Sequence, residues 1–183
     1  MAFTQNFLQA PDTQSISDTI CQHLNCRNIG AWLEDLALKL EVPIAAIIPT
    51  SPVLRHEFFL PECGLRLVLN HPHAGYVEEG DIDRWIINEA QFIVSDQNHS
   101  DDAVLLPFDL DPDNDTPETV QTKLDGDTAG LSVRSLAQGD RRQSYFLDDA
   151  LVVEITWRPE LRGIDRVWIV RMGSEMLEAP QKS

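Results

Sequence analysis

Around Arg55 the hydrophobic spacing of this chain changes. Upstream, Ile29, Trp32, Leu33, Leu36 and Leu40 recur at intervals of three and four, which gathers apolar side chains on one face of a helix. Downstream, Leu65, Leu67 and Leu69 alternate with Arg66 and Val68, the period of a strand with one buried face. A second switch follows later. TPETVQTKL has Thr116 in a cap position and Pro117 in the first turn, where a missing N–H costs nothing. SYFLDDALVVEITW then reads as two strands about a tight turn, with IDRVWIV as a closing strand. A chain that passes twice from helical to strand spacing is an α+β chain with antiparallel strands.

The two passes share more than their order. Residues 80–87 read GDIDRWII and residues 163–170 read GIDRVWIV. Phe59-Leu60 matches Phe146-Leu147, and Leu65, Leu67 and Leu69 match Leu151, Val153 and Ile155. The expected organisation is an arm over 1–15 and a single domain over 16–183. That domain holds one repeat at about 28–94, an acidic connection at about 95–115, and a second repeat at about 116–172. The expected fold is two pseudo-repeated α-β-β-β units sharing an antiparallel sheet, with helices on one face. Neither unit is large enough to close a core alone. The opposite sheet face is then left partly exposed, and Ile-Asp-Arg marks the entrance of each closing strand. Asn28 is the expected cap of the clearest helix and Pro43 its terminator; Ser15 or Ser17 is the expected cap of a shorter helix before it.

Charge limits the partners. The chain has 183 residues, 30 acidic against 14 basic, for a net charge of −16. Such a field repels nucleic acid and anionic membrane surfaces and attracts basic partners. Residues 78–127 carry fifteen of the acidic residues and only Arg84 and Lys123 as basic ones. The stretch MAFTQNFLQAPDTQ has no basic region and no apolar run of signal-peptide length. With three cysteines in no disulfide pattern, the expected compartment is the cytoplasm.

Candidate chemistry is sparse. Asp109, Asp111, Asp113 and Asp115 stand two apart, like the start of a calcium loop. The required glycine at the sixth position and glutamate at the twelfth are missing. They read instead as an acidic loop that favours the positive end of the following helix, faces a partner, or both. Cys21, His23 and Cys26 do not share one helix side and make no zinc site, so buried cysteines and a surface histidine are expected. There is no nucleophile elbow and no phosphate loop, so neither a cofactor nor a metal is expected. Arg84 and Arg166 each follow an aspartate, either as paired recognition residues or as stems covering apolar surface. Trp32 is expected in the core. Trp157, beside Arg158 and Pro159 at a strand end, is expected to be exposed.

On these residues — TPETVQTKL, SYFLDDALVVEITW and IDRVWIV, with weaker counterparts over 28–87 — the chain resembles tandem α-β-β-β inhibitors of the β-lactamase inhibitory protein type. It also resembles bacterial immunity proteins that neutralise toxins. The resemblance implies a non-enzymatic cytoplasmic protein that sequesters a toxin or effector with a basic surface. Asp109, Asp111, Asp113, Asp115 and Trp157 are the expected contacts. Other readings are a secretion chaperone for an effector, a small hydrolase using an Asp/Glu pair, and a DNA mimic.

Overall fold

The computed structural model describes residues 16–49, 53–71, 82–94, 106–127, 134–137, 139, 141–147, 150–173 and 177–178. The expected arm and residues 95–105 of the acidic connection lie outside the described residues. Helix α1 spans Ile16–His23, α2 Gly30–Lys39, α3 Ile44–Ile47 and α4 Pro117–Asp127. The strands are β1 (Cys26–Arg27), β2 (Arg55–Leu60), β3 (Leu65–Asn70), β4 (Ile86–Ile93), β5 (Arg134–Ala137), β6 (Arg142–Phe146), β7 (Leu151–Trp157), β8 (Ile164–Arg171) and β9 (Leu177–Glu178). Strands β2 to β8 form one seven-stranded sheet in the order β2-β3-β4-β8-β7-β6-β5, every pair antiparallel. β1 and β9 form a separate parallel pair. The fold is α+β.

Period-two alternation decides which sheet face is buried. Phe58, Leu65, Leu67, Leu69, Ile87, Ala90, Phe92, Tyr145, Val153, Ile155, Val167 and Ile169 point to one side and are buried. They join Ile20 and Leu24, then Leu33 and Leu36 of α2, then Val120 and Leu124 of α4, in one apolar cluster. Burying a Leu or Ile side chain this fully is worth about 1.5–3 kcal/mol each, so this layer supplies most of the driving force. Val68, Ile86, Ile93 and Val152 are also buried but stand outside that cluster, as their opposite strand phase requires.

Three details depart from the sequence-based expectation. Ile82–Arg84 is a 3-10 turn and the strand starts only at Ile86, whereas Ile164, Asp165 and Arg166 lie inside β8. The same letters therefore have different conformations. In the first copy the reason is a helix cap: the Gly30 amide, opening α2, donates to Asp83 Oδ1 at 3.1 Å. A β-carbon on Gly30 would collide with that oxygen. Asn28, the expected cap, takes φ 58 and Ile29 occupies the cap position without a side-chain bond. For α1, Ser17 lies inside the helix and buried, so it is no cap; Ser15 lies outside the described residues. In the second copy the cap of α4 is local, as expected. The Thr119 amide donates to Thr116 Oγ1 at 3.4 Å. Third, the stretch before β6, which has no strand pattern, contains the edge strand β5, whose four residues are all exposed.

Candidate functional site

The strand registers place side chains in straight rows across the outer face. One row reads Phe59, Arg66, Gln91, Trp168, Glu154, Ser144, Leu136 from β2 to β5. The next reads Ile93, Arg166, Thr156, Arg142. Directly opposed residues in a sheet have β-carbons about 4.5–5.5 Å apart, so Thr156 has an arginine as neighbour on each side. Gln91, Arg142, Glu154, Thr156, Arg166 and Trp168 line a shallow, open depression of about 480 Å³. These six residues come from β4, β6, β7 and β8, and the buried apolar side chains between them hold them up.

The depression has an asymmetric electrostatic wiring. Arg142 reaches Glu154 at 3.7 Å, a loose pair. Trp168 Nε1 donates to Glu89 Oε2 at 3.1 Å, which fixes the indole plane and occupies that carboxylate. Arg166 is exposed and has no carboxylate partner among the described residues. Elsewhere on the same face Glu57 pairs with Arg55 at 3.2 Å and with Arg66 at 2.5 Å, and Arg134 stands exposed on the edge strand β5. The hydrogen bond from Arg66 holds the Glu57 carboxyl below the usual range. Exposed pairs of this kind stabilise little, but they set which guanidinium groups are available to a ligand.

Three of the four aspartates of the acidic loop are engaged within the molecule. Asp111 accepts from the amides of Asp113 (2.9 Å) and Asn114 (3.1 Å) and from Asn114 Nδ2 (2.8 Å). The Asn114 side chain, then these amides, hold the Asp111 carboxyl below its ordinary pKa. Asp113 pairs with Arg158 at 2.6 Å. Asp115 is buried and accepts from the Asp111 amide (2.7 Å), Thr119 Oγ1 (2.9 Å) and Lys123 Nζ (2.9 Å). Asp109 is exposed; its carbonyl takes the Lys123 ammonium at 2.6 Å. The loop is clamped to the sheet where Ile164 N donates to Pro112 O at 2.7 Å. Gly163 makes this approach possible: its φ is +85, and a β-carbon there would strike the Pro112 carbonyl. Arg166 stands two residues along β8 from this clamp, about 7 Å away along the strand.

Of the expected contacts, two are corrected. Trp157 is 1% exposed and packs in the main core, so it is no surface anchor. It continues the buried phase of Leu151, Val153 and Ile155. Asp115 is buried under Lys123 and serves the start of α4. Asp111 and Asp113 spend their carboxylates within the loop and on Arg158, leaving Asp109 as the open one of the four. His23, expected at the surface, is buried. It stacks on Trp32 with ring centroids 4.2 Å apart, and its Nδ1 donates to the Thr19 carbonyl at 2.7 Å. Burial lowers its pKa and raises that of the Cys21 thiol. The described residues contain no group of three or more potential metal ligands, and no described helix is long and apolar enough to cross a membrane. Arg84 and Arg166 do not form an equivalent pair, because Arg84 sits in the 3-10 turn. Gln91, Arg142, Glu154, Thr156 and Trp168 escaped sequence-based reading as a group, although outward phase beside Val153 and Ile155 marks Glu154 and Thr156 as exposed-face residues.

Comparison with protein-family models, curated proteins and solved structures produced no match.

Proposed function

We propose that this chain is a non-enzymatic binding protein that neutralises a cytotoxic protein, and that it meets its partner with the outer sheet face and the acidic loop beside it. The observation that carries the reading is the depression over β4, β8, β7 and β6. It is shallow and open, it offers a fixed tryptophan and an arginine without a carboxylate partner among the described residues, and it lies on a continuous row of side chains crossing all seven strands. Tryptophan and arginine are the residue types that dominate the energetics of protein interfaces, and a broad open surface suits a protein better than a small substrate.

The acidity supports the same reading at longer range. A net charge of −16 accelerates association with a basic toxin or effector and disfavours nucleic acid and anionic membranes as partners. The cytoplasm is the compartment that suits an immunity role. The duplicated α-β-β-β unit belongs to this proposal as well. Its support is the arrangement of β2-β3-β4 and β8-β7-β6 as two meanders meeting at the β4–β8 pair; against it stands the different conformation of the two Ile-Asp-Arg stretches.

A hydrolase would call for a carboxylate held protonated by its surroundings. The shifted carboxylates among the described residues, Glu57, Asp111 and Glu118, all move in the other direction. The deciding experiment is co-purification from the native cell, followed by expression of the captured protein in a susceptible host with and without this chain. Growth rescued by this chain is the expected result. A captured protein that is not toxic, or toxicity that persists alongside this chain, contradicts the proposal.

A further inference from the structure

The described strand positions of the outer face differ in sign from the molecule as a whole. They carry Arg55, Arg66, Arg134, Arg142 and Arg166 against Glu57, Glu89 and Glu154, with no aspartate and no lysine. Glu57 closes off Arg55 and Arg66, and Glu89 is engaged by the Trp168 indole. Arg134 stands by itself on the edge strand β5, whereas Arg166 and Arg142 come together about Thr156 across β8, β7 and β6. Two guanidinium groups flank one hydroxyl there, and among the described residues the carboxylate that pairs with them is Glu154, 3.7 Å from Arg142. A planar fork of N–H donors matches a carboxylate in a way a lysine does not. The neighbouring row sets the half-buried Trp168 ring beside Gln91 and Glu154. The ring offers an apolar wall for the methylene stem of a carboxylate side chain.

We propose that the Arg166–Thr156–Arg142 row, with Trp168 beside it, is an anchor site for one glutamate side chain standing in an otherwise basic surface of the partner protein. The basic surround follows from charge complementarity: the acidic loop is held to β8 at Gly163 and Ile164, two residues before Arg166, and the chain carries −16 overall. A uniformly acidic partner would be repelled before reaching the arginines, and a uniformly basic one would leave them unpaired on docking, at a cost in desolvation. The inference rests on the reading of the outer face as a protein-docking surface, and it names the chemistry of the contact.

The test uses two blocked pentapeptides, each with lysine pairs flanking a central glutamate or a central glutamine. They are titrated into the ¹⁵N-labelled full chain while the Trp168 indole and Arg166 Nε–H signals are followed. Acetate and inorganic phosphate form the third arm. The glutamate peptide is expected to shift both signals saturably and to bind about tenfold more tightly than the glutamine peptide. Arg166→Gln or Arg142→Gln should remove that preference, and Arg55→Gln should leave it. Both arginines are exposed, and circular dichroism shows whether each variant is folded. Equal binding of the two peptides, a preference that survives both row variants, or the same shifts from acetate or phosphate at peptide concentrations overturns the proposal. The two readings fail separately. If the natural partner binds the R166Q and R142Q chains unchanged, the anchor is wrong and the docking face stands. If the peptide preference appears but no toxin is neutralised, the anchor stands and the function is wrong.

Discussion

The acidic loop over 109–115 and the depression on the outer sheet face are both tied to β8, yet they use charge in opposite ways. In the loop the carboxylates of Asp111, Asp113 and Asp115 all have partners within the molecule. In the depression Arg166 has no such partner among the described residues and Arg142 has a loose one. The loop carries the conspicuous sequence pattern and the depression carries none. Density of charge along the sequence therefore does not tell which charged groups already have partners in the fold. A satisfied carboxylate contributes to folding and acts on a partner only through its field, whereas an unsatisfied guanidinium retains its directed hydrogen bonds for a ligand.

That contrast is easiest to break through the clamp joining the two regions. Gly163→Ala puts a side chain into a left-handed backbone and against the Pro112 carbonyl. It should lower stability by about 3 kcal/mol and the melting temperature by about 10 °C, read by thermal unfolding. Wild-type melting would mean that the loop is not tied to the sheet. Next in size is Asp115→Ala, which strips Lys123 and Thr119 of a buried partner. The expected loss is about 2 kcal/mol by denaturant titration, against under about 0.5 kcal/mol for Asp109→Ala, whose side chain is exposed. Equal effects at 109 and 115 would erase the distinction between structural and open carboxylates within the loop.

A smaller effect is expected in acid. The Asp111 carboxyl titrates below its ordinary value in the folded chain, so the unfolded chain takes up the proton first. The stabilisation it supplies is present above about pH 4 and fades as pH falls through the lower folded value. Unfolding curves collected downward from pH 5 should show this loss in wild type and a shallower one in Asp111→Asn. Parallel acid profiles would mean that the carboxylate charge does not organise the loop. Smallest of all in stability should be Arg166→Gln, within about 0.5 kcal/mol of wild type. A marked destabilisation would reveal a structural partner and remove the argument that this guanidinium is held for a ligand.

Sequence periodicity carried a good part of this architecture. Leu65, Leu67 and Leu69 announced a one-sided strand, and Thr116-Pro117 announced a helix start, because both signals are local. The same alternation contained the right answer for Trp157, since Leu151, Val153 and Ile155 put position 157 on the buried side. Its neighbours Arg158 and Pro159 pointed the other way, and the phase of the strand won. Asp83 capping Gly30 joins positions 53 apart, and no local pattern reports such a bond. The four aspartates look alike in one dimension. What separates buried Asp115 from exposed Asp109 is the placement of Lys123 and Thr119 on the next helix and of Arg158 after β7. The depression was illegible for the same reason: its residues come from four strands, and only the registers bring Arg166, Thr156 and Arg142 into a row.

The central claim is that the outer sheet face is the docking surface and that the loop steers from its edge. Site-specific photocrosslinking in the native cell tests it most directly, with a benzophenone side chain at position 156 in one variant and at position 109 in another. The account predicts a discrete adduct from position 156 that disappears when Arg166→Glu is added, and at most a weak adduct to the same protein from position 109. A strong adduct from position 109 together with none from position 156 would contradict it and return the binding role to the acidic loop.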